Sequence, residues 1–244
     1  SKESRNSKQF QQKIVEAKEI PTKIKSIEEE MQVLKEELTN YLVRIPNITH
    51  ESVPKGKTAE DNIPFKFWGK KPIFKFELLS HSDLLEKTGL ANFEAGRENS
   101  GQGFNYLIGD MALLDLALQR YGVDFLLNKG FKLIGTPLAL NKKTLSGAVT
   151  LQDFENVIYK IENEDLYLIG TGEHPLVSLY KDTIFNKKDL PIKLCTITPC
   201  FRKEIGSHGV DTKGLFRMHQ FYKVEQVIIS TQEESYKYLE FMQS

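Results

Sequence analysis

The chain has 244 residues, 40% hydrophobic and 27% charged, with 33 Lys and Arg against 33 Asp and Glu. This excludes a disordered acidic or basic tail protein and a collagen-like repeat, and allows one or two domains whose core needs no metal or disulfide. The net charge of zero gives no global signal for nucleic acid, so any polyanion must be held by local charge.

No run approaches the ~18 apolar residues of a membrane span, and the polar start SKESRNSKQF has no signal-peptide core. The expectation is an intracellular, cytoplasmic protein without a membrane partner. Cys195 and Cys200 are the only cysteines, too few for a disulfide framework and wrongly spaced for a zinc knuckle or redox pair.

Residues 1–44 form the first composition regime. Ile24, Ile27, Met31, Leu34, Leu38 and Tyr41 alternate at spacings of three and four, the pattern of a coiled-coil seam, with charges between them. Phe10, Ile14 and Ala17 continue helical spacing upstream, and Pro21 suits a first turn better than a helix interior. The expectation is two helices joined near Ile20-Pro21 and folded back as an antiparallel hairpin, the second reaching about 30 Å. Nine basic residues face eight acids over 1–44, with six of the nine before residue 24. If this arm binds RNA, that balance predicts few phosphate contacts and a shallow salt dependence.

Residues 45–71 hold Pro46, Pro54 and Pro64 with Gly56 and Gly69 and little periodicity, so they read as a linker. From 72 to 244 the pattern is mixed. Ser82–Leu90 reads as a short helix, and Asp110–Asn128, apolar on nearly all faces, as a longer one closed by Gly130 and buried in a core or a subunit interface. Strands are expected at Phe131–Ile134, Val157–Ile161, Leu166–Ile169, Leu194–Lys203 and Phe216–Val227, the last two flanking the loop GSHGVDTKG. The fold class is α+β, with a mostly antiparallel sheet flanked by helices and preceded by the helical arm.

Chemistry concentrates in Thr198–Gln226. Strand alternation puts Arg202 and Glu204 on one face, and Arg217, His219, Phe221, Lys223 and Glu225 on one face across the loop, while Met218, Tyr222 and Val224 turn the other way. The pattern alone leaves two readings open. One is a solvated face with cross-strand ion pairs. The other is a phosphate and adenine site, with arginine forks for phosphate, Phe221 for stacking, and Gly206, Gly209 and Gly214 giving the loop freedom. Thr171 and Glu173, two apart on an expected strand face, offer a hydroxyl and a carboxylate to a small ligand with an ammonium group, or simply mark a turn before Pro175. His174 reads as structural.

Taken together, these segments resemble a class II aminoacyl-tRNA synthetase, and within that class the seryl-tRNA synthetases of archaeal and eukaryotic type. Phe201-Arg202-x-Glu204 followed by Arg217-x3-Phe221-x3-Glu225 resembles motif 2 of the class, and Lys129-Gly130-Phe131-x2-Ile134-x2-Pro137 resembles motif 1. Thr171-Gly172-Glu173 is similar to the TxE serine loop, and Arg44–Pro54 with Asp61-Asn62 to the junction between arm and body.

The resemblance implies an enzyme that activates L-serine with ATP and Mg²⁺ to seryl-adenylate and transfers it to the 3′ end of serine tRNA, working as a homodimer. It implies Arg202 at the ATP α-phosphate and the serine carboxylate, and Arg217 at the γ-phosphate. Adenine would lie on Glu204 and Phe221, with Lys203, Met218, His219 and Gln220 completing the nucleotide site. Thr171, Gly172, Glu173 and Glu225 would join Arg202 in the serine site, and 110–128 with 131–137 would form the dimer interface. Motif 3 of the class is absent up to Ser244, the arm begins partway through its first helix, and Gly172 replaces a commoner Ala or Ser, which is expected to loosen the backbone. The chain therefore reads as an excerpt of a longer enzyme. The rival readings are a noncatalytic paralogue that binds RNA or protein, and an enzyme that adenylates an amino acid for a carrier protein.

Overall fold

A computed structural model describes residues 8–154, 156–204 and 214–244. The chain divides into two units, Ser1–Lys71 and Pro72–Ser244.

Among its described residues the first unit contains a single α-helix, α1 (Lys8–Leu42), and Pro21 lies inside it. The two helices expected to join at Ile20-Pro21 are thus one, about 50 Å long at 1.5 Å per residue. An interior proline loses the hydrogen bond of its own N–H and crowds the carbonyl four residues before it, at a combined cost of roughly 3 kcal/mol. Strong helix formers such as Lys, Glu and Ala on both sides carry the helix across it. No second α-helix occurs among the described residues of this unit, so the antiparallel hairpin is not formed within it. The seam from Ile24 to Tyr41 is exposed throughout. Residues 45–71 contain one short 3₁₀ turn, Ala59–Asp61, in which Asp61 accepts from the N–H groups of Lys57 and Thr58. Those two donors hold the Asp61 carboxyl below its ordinary pKa.

In the second unit α2 (His81–Lys87) is capped by Ser80, whose hydroxyl accepts from Asp83 N–H. β1 (Ala91–Asn92) leads into α3 (Phe93–Ser100) and pairs antiparallel with β2 (Tyr106–Leu107). α4 (Asp110–Asn128) follows, and Gly130 takes a left-handed φ of 82° to turn the chain into β3 (Lys132–Leu133). β4 (Ala139–Leu140) pairs antiparallel with β5 (Tyr167–Leu168), with short helices α5 (Lys142–Leu145) and α6 (Leu151–Phe154) between them. The expected strand Val157–Ile161 contributes only one bridge, Lys160 to Tyr167, because Val157 and Ile158 turn back to bond the Phe154 carbonyl.

The central sheet has the order β3, β6 (Ile192–Phe201), β7 (Gln220–Ile229). β3 runs parallel to β6, while β6 and β7 are antiparallel along ten residue pairs, including Thr196 with Glu225, Thr198 with Lys223 and Cys200 with Phe221. Among the described residues three of the four strand pairings are antiparallel. Residues opposite each other share a face, so this register sorts the hairpin. Val224 and Ile228 pack with Leu126, Phe131, Cys195 and Phe241 on the back, and Gly122 of α4 approaches Val224 there. The front carries Thr196, Thr198, Lys223 and Glu225. A second cluster, Leu140, Leu145, Ile158, Tyr167 and Ile169, supports the segment that crosses the front.

Only Val123 and Leu126 of α4 are buried, and Leu113, Leu116, Leu118 and Tyr121 are exposed. Both cysteines are buried as free thiols, and burial raises the pKa of Cys195. No helix among the described residues is long and apolar enough to cross a membrane.

Candidate active site

β6 ends at Phe201 and β7 begins at Gln220, so Arg202, Lys203, Glu204, Arg217, Met218 and His219 lie beyond the strands expected to carry them. Glu204 has a left-handed φ of 31°, which breaks the alternation that would align it with Arg202. Backbone bonds still fix both strand ends. Arg202 N–H donates to the His219 carbonyl (3.0 Å), and His219 N–H donates to the Gly103 carbonyl (3.0 Å). The residues between include Gly206 and Gly209, which lie outside the described residues. Gly214 has a φ of 80°, and next to it Leu215 N–H donates to His81 Nε2 (2.9 Å).

The TxE segment is not a strand either. Phe201 N–H donates to the Ile169 carbonyl (2.9 Å), which brings 169–172 across the front of the sheet, and Glu173 starts the short helix α7 (Glu173–Ser178). Gly172 has an ordinary helical φ of −64°, so its value is closeness and not looseness. A Cβ there would come 2.6 Å from Thr196 Cγ2 and 3.3 Å from Glu225 Cβ. Thr196 cannot rotate away freely, because its hydroxyl donates to the Ile134 carbonyl (2.8 Å).

A cavity of about 400 Å³ opens beside this segment, lined by Gly170, Thr171, Glu173, His174, Arg202 and Glu204 with an apolar wall that includes Val149 and Ile158. Arg202 Nε donates to the Gly170 carbonyl (3.0 Å), and its guanidinium lies 5.3 Å from the centre of the Phe221 ring. That tether and the cation–π contact fix the fork at the cavity wall. Glu204 Oε2 accepts from Arg217 Nη1 (3.4 Å). Behind the cavity wall Thr171 Oγ1 donates to Glu225 Oε2 (2.6 Å), and Lys223 Nζ contacts both, at 2.6 Å from the carboxylate and 3.0 Å from the hydroxyl. Met218, Gln220 and Phe221 line a separate cavity of about 220 Å³ together with Phe104. His219 packs on Phe104 and is bonded through Nδ1 to the Tyr159 hydroxyl, while Lys203 lies over the Tyr159 ring and not in the cavity.

The structure thus gathers Thr171, Gly172, Glu173, Arg202, Glu204 and Glu225 at one place and leaves Lys203 apart. It adds Lys223, His174 and the Gly170 carbonyl. Lys223 was detectable as the same-face neighbour of Glu225, whereas no sequence signal marks a backbone carbonyl.

His174 is buried, and among the described residues its Nδ1 has no hydrogen-bond partner. Burial, then the charges of Arg202 and Lys223, hold its pKa below the ordinary 6.5, with Glu225 opposing. The imidazole is therefore neutral at pH 7. Above pH 6.5 neither folded nor unfolded His174 binds a proton, and below it the unfolded chain does so first, so stability falls from about pH 6.5 down to the lowered folded value. The melting temperature of the protein is expected to drop more between pH 7 and pH 5 than that of His174→Gln, as read by thermal denaturation at both pH values.

Residues 156–243 match the family described as tRNA synthetase class II core domain (G, H, P, S and T). The chain is 48% identical over 223 residues to a serine--tRNA ligase of Methanospirillum hungatei, covering 91% of this chain and 52% of that protein. The chain belongs to the seryl-tRNA synthetase family. A serine--tRNA ligase of Pyrococcus horikoshii is 43% identical over 247 residues, covering 93% of this chain and 54% of the relative. The crystal structure of seryl-tRNA synthetase from P. horikoshii complexed with ATP has a TM-score of 0.86 at 42% identity, covering 94% of this chain and 56% of that one. A cytoplasmic serine-tRNA ligase from Naegleria fowleri in complex with AMP gives a TM-score of 0.78 at 35% identity, covering 88% of this chain and 52% of that one. The mixed helix and sheet architecture is that of the class II seryl-tRNA synthetases. The chain spans about half the length of the curated relatives it matches.

Proposed function

We propose that the protein activates L-serine with ATP to seryl-adenylate and transfers the seryl group to the 3′ end of serine tRNA. The observation that carries this reading is the pairing, at one cavity, of the tethered Arg202 guanidinium with the Thr171–Glu225 acceptors. The first is suited to phosphate and carboxylate, the second to an ammonium group.

In activation a serine carboxylate oxygen forms a bond to the α-phosphorus, and the bond from that phosphorus to the bridging oxygen breaks to release pyrophosphate. Arg202 stabilises the charge that builds on the α-phosphoryl oxygens and orients the attacking carboxylate. Arg217, ion-paired with Glu204, takes the γ-phosphate end, while Phe221 and Glu204 receive adenine at the edge formed by Met218, His219 and Gln220. Thr171, Gly172, Glu173 and Glu225 hold serine. In transfer the terminal ribose hydroxyl attacks the seryl carbonyl and AMP departs.

Mg²⁺ enters with ATP, bound chiefly by phosphate oxygens. Among the described residues no group of three His, Cys, Asp or Glu is placed to hold an ion. The open apolar face of α4 and residues 131–137 serve a homodimer interface, and α1 is one limb of a tRNA-binding coiled-coil arm. Its exposed seam supports that reading, since such a stripe needs a second helix. The domain scheme is an arm at 1–44, a linker at 45–71 and the catalytic domain from 72 onward.

The test is ATP–pyrophosphate exchange by the full-length protein with serine, threonine or alanine, followed by aminoacylation of serine tRNA. Serine is expected to support both, and alanine to be rejected by about 10⁴-fold because it leaves a site built for a hydroxyl unpaired. Exchange with no amino acid, or with another in preference to serine, would overturn the reading.

A further inference from the structure

We infer that Lys223 is a positioning residue for amino-acid binding: it locks Thr171 and one oxygen of Glu225 together, so that the other oxygen is left for the substrate's ammonium group. The inference rests on the proposed function. It deepens that reading by giving a role to Lys223, which the proposed chemistry leaves unused.

The direction of every proton in this cluster follows from Lys223. An ammonium group only donates, so the Thr171 hydroxyl accepts from Lys223 Nζ at 3.0 Å, and it also accepts from the Glu173 N–H at 3.3 Å. Its single proton is then committed to Glu225 Oε2 at 2.6 Å. That same oxygen takes Lys223 Nζ at 2.6 Å, which occupies both of its lone-pair directions. Oε1 accepts no hydrogen bond among the described residues. A carboxylate pinned at one oxygen and open at the other presents a fixed acceptor, and fixed acceptors bind an ammonium without first losing rotational freedom.

The rest of the sheet keeps the cluster in place. Lys223 and Glu225 are two residues apart on β7, opposite the buried Thr198 and Thr196. The backbone of Gly172 closes over the Glu225 stem. Without Lys223, the Thr171 oxygen regains an open lone pair and Glu225 Oε2 loses its ion partner, so the carboxylate is held by the Thr171 hydroxyl alone.

The experiment compares the full-length parent with Lys223→Met and Lys223→Arg in ATP–pyrophosphate exchange. A fourth constant is the inhibition constant of 3-hydroxypropanoate, which is serine without its ammonium group. Lys223→Met is expected to raise the serine KM about tenfold, while kcat, the ATP KM and the 3-hydroxypropanoate constant stay near the parent's. Lys223→Arg is expected to recover most of the serine KM. An unchanged serine KM in Lys223→Met would overturn the inference, as would all four constants moving together, which marks general damage. A parent that exchanges with a different amino acid overturns the serine reading alone, and the same comparison with that amino acid then decides the role of Lys223. A parent with no amino-acid-dependent exchange overturns both.

Discussion

Arg202→Ala is expected to abolish serine-dependent ATP–pyrophosphate exchange, lowering kcat by about 10³-fold or more while the protein still folds. Two features make the loss large. The guanidinium meets charge that grows only in the transition state, so its removal appears in kcat more than in KM. It is also held before substrate arrives, by the Gly170 carbonyl at one end and the Phe221 ring over its face. Lysine would not replace it, having a point charge where the site has a planar fork. The fold survives because Arg202 is only half-buried and its backbone bond to His219 is kept. Exchange assays beside far-UV circular dichroism decide the matter, and exchange retained within tenfold would remove Arg202 from the chemistry.

Glu225→Gln is expected to raise the serine KM by about 10²-fold or more and to leave the ATP KM within a few-fold. The amide is nearly isosteric but carries no charge to meet the substrate's ammonium. It also leaves Lys223 without its ion partner, a loss at a part-buried pair that exceeds that of an exposed one. Steady-state exchange with each substrate varied in turn tests this. A parallel rise in both KM values would mean that Glu225 supports the sheet and not the amino acid.

Much of this site was legible in the sequence, and the reasons are local. Period-two alternation on β7 placed Phe221, Lys223 and Glu225 together, and that part of the strand exists. Apolar periodicity and Gly130 gave α4 with the ends observed. Alternation failed where strands stopped. Arg217 and His219 precede β7, and Glu204 follows β6 with a left-handed backbone, so each is placed by long-range bonds to Glu204, to Gly103 and Tyr159, and to Arg217 respectively. Thr171 and Glu173 failed similarly, since a threonine two residues before a carboxylate fits a strand and a helix start alike. The break predicted at Pro21 failed because the local cost of one proline does not outweigh helical flanks. Nothing in the linear sequence shows that Gly172 is held close to Thr196, a contact between segments twenty-four positions apart.

The register of β6 against β7 has a consequence for how this segment can change over time. Glu225 and Lys223 share the front face and meet Thr171 there, while Val224 between them packs into the core that includes Leu126 and Phe131. Moving the strand by one position exchanges the two faces, burying the ionic pair against apolar side chains and turning Val224 outward. Substitution can therefore be absorbed residue by residue along 221–228, but a single insertion or deletion cannot. Changes in length are therefore expected in the connection that joins the two strands and not within either strand.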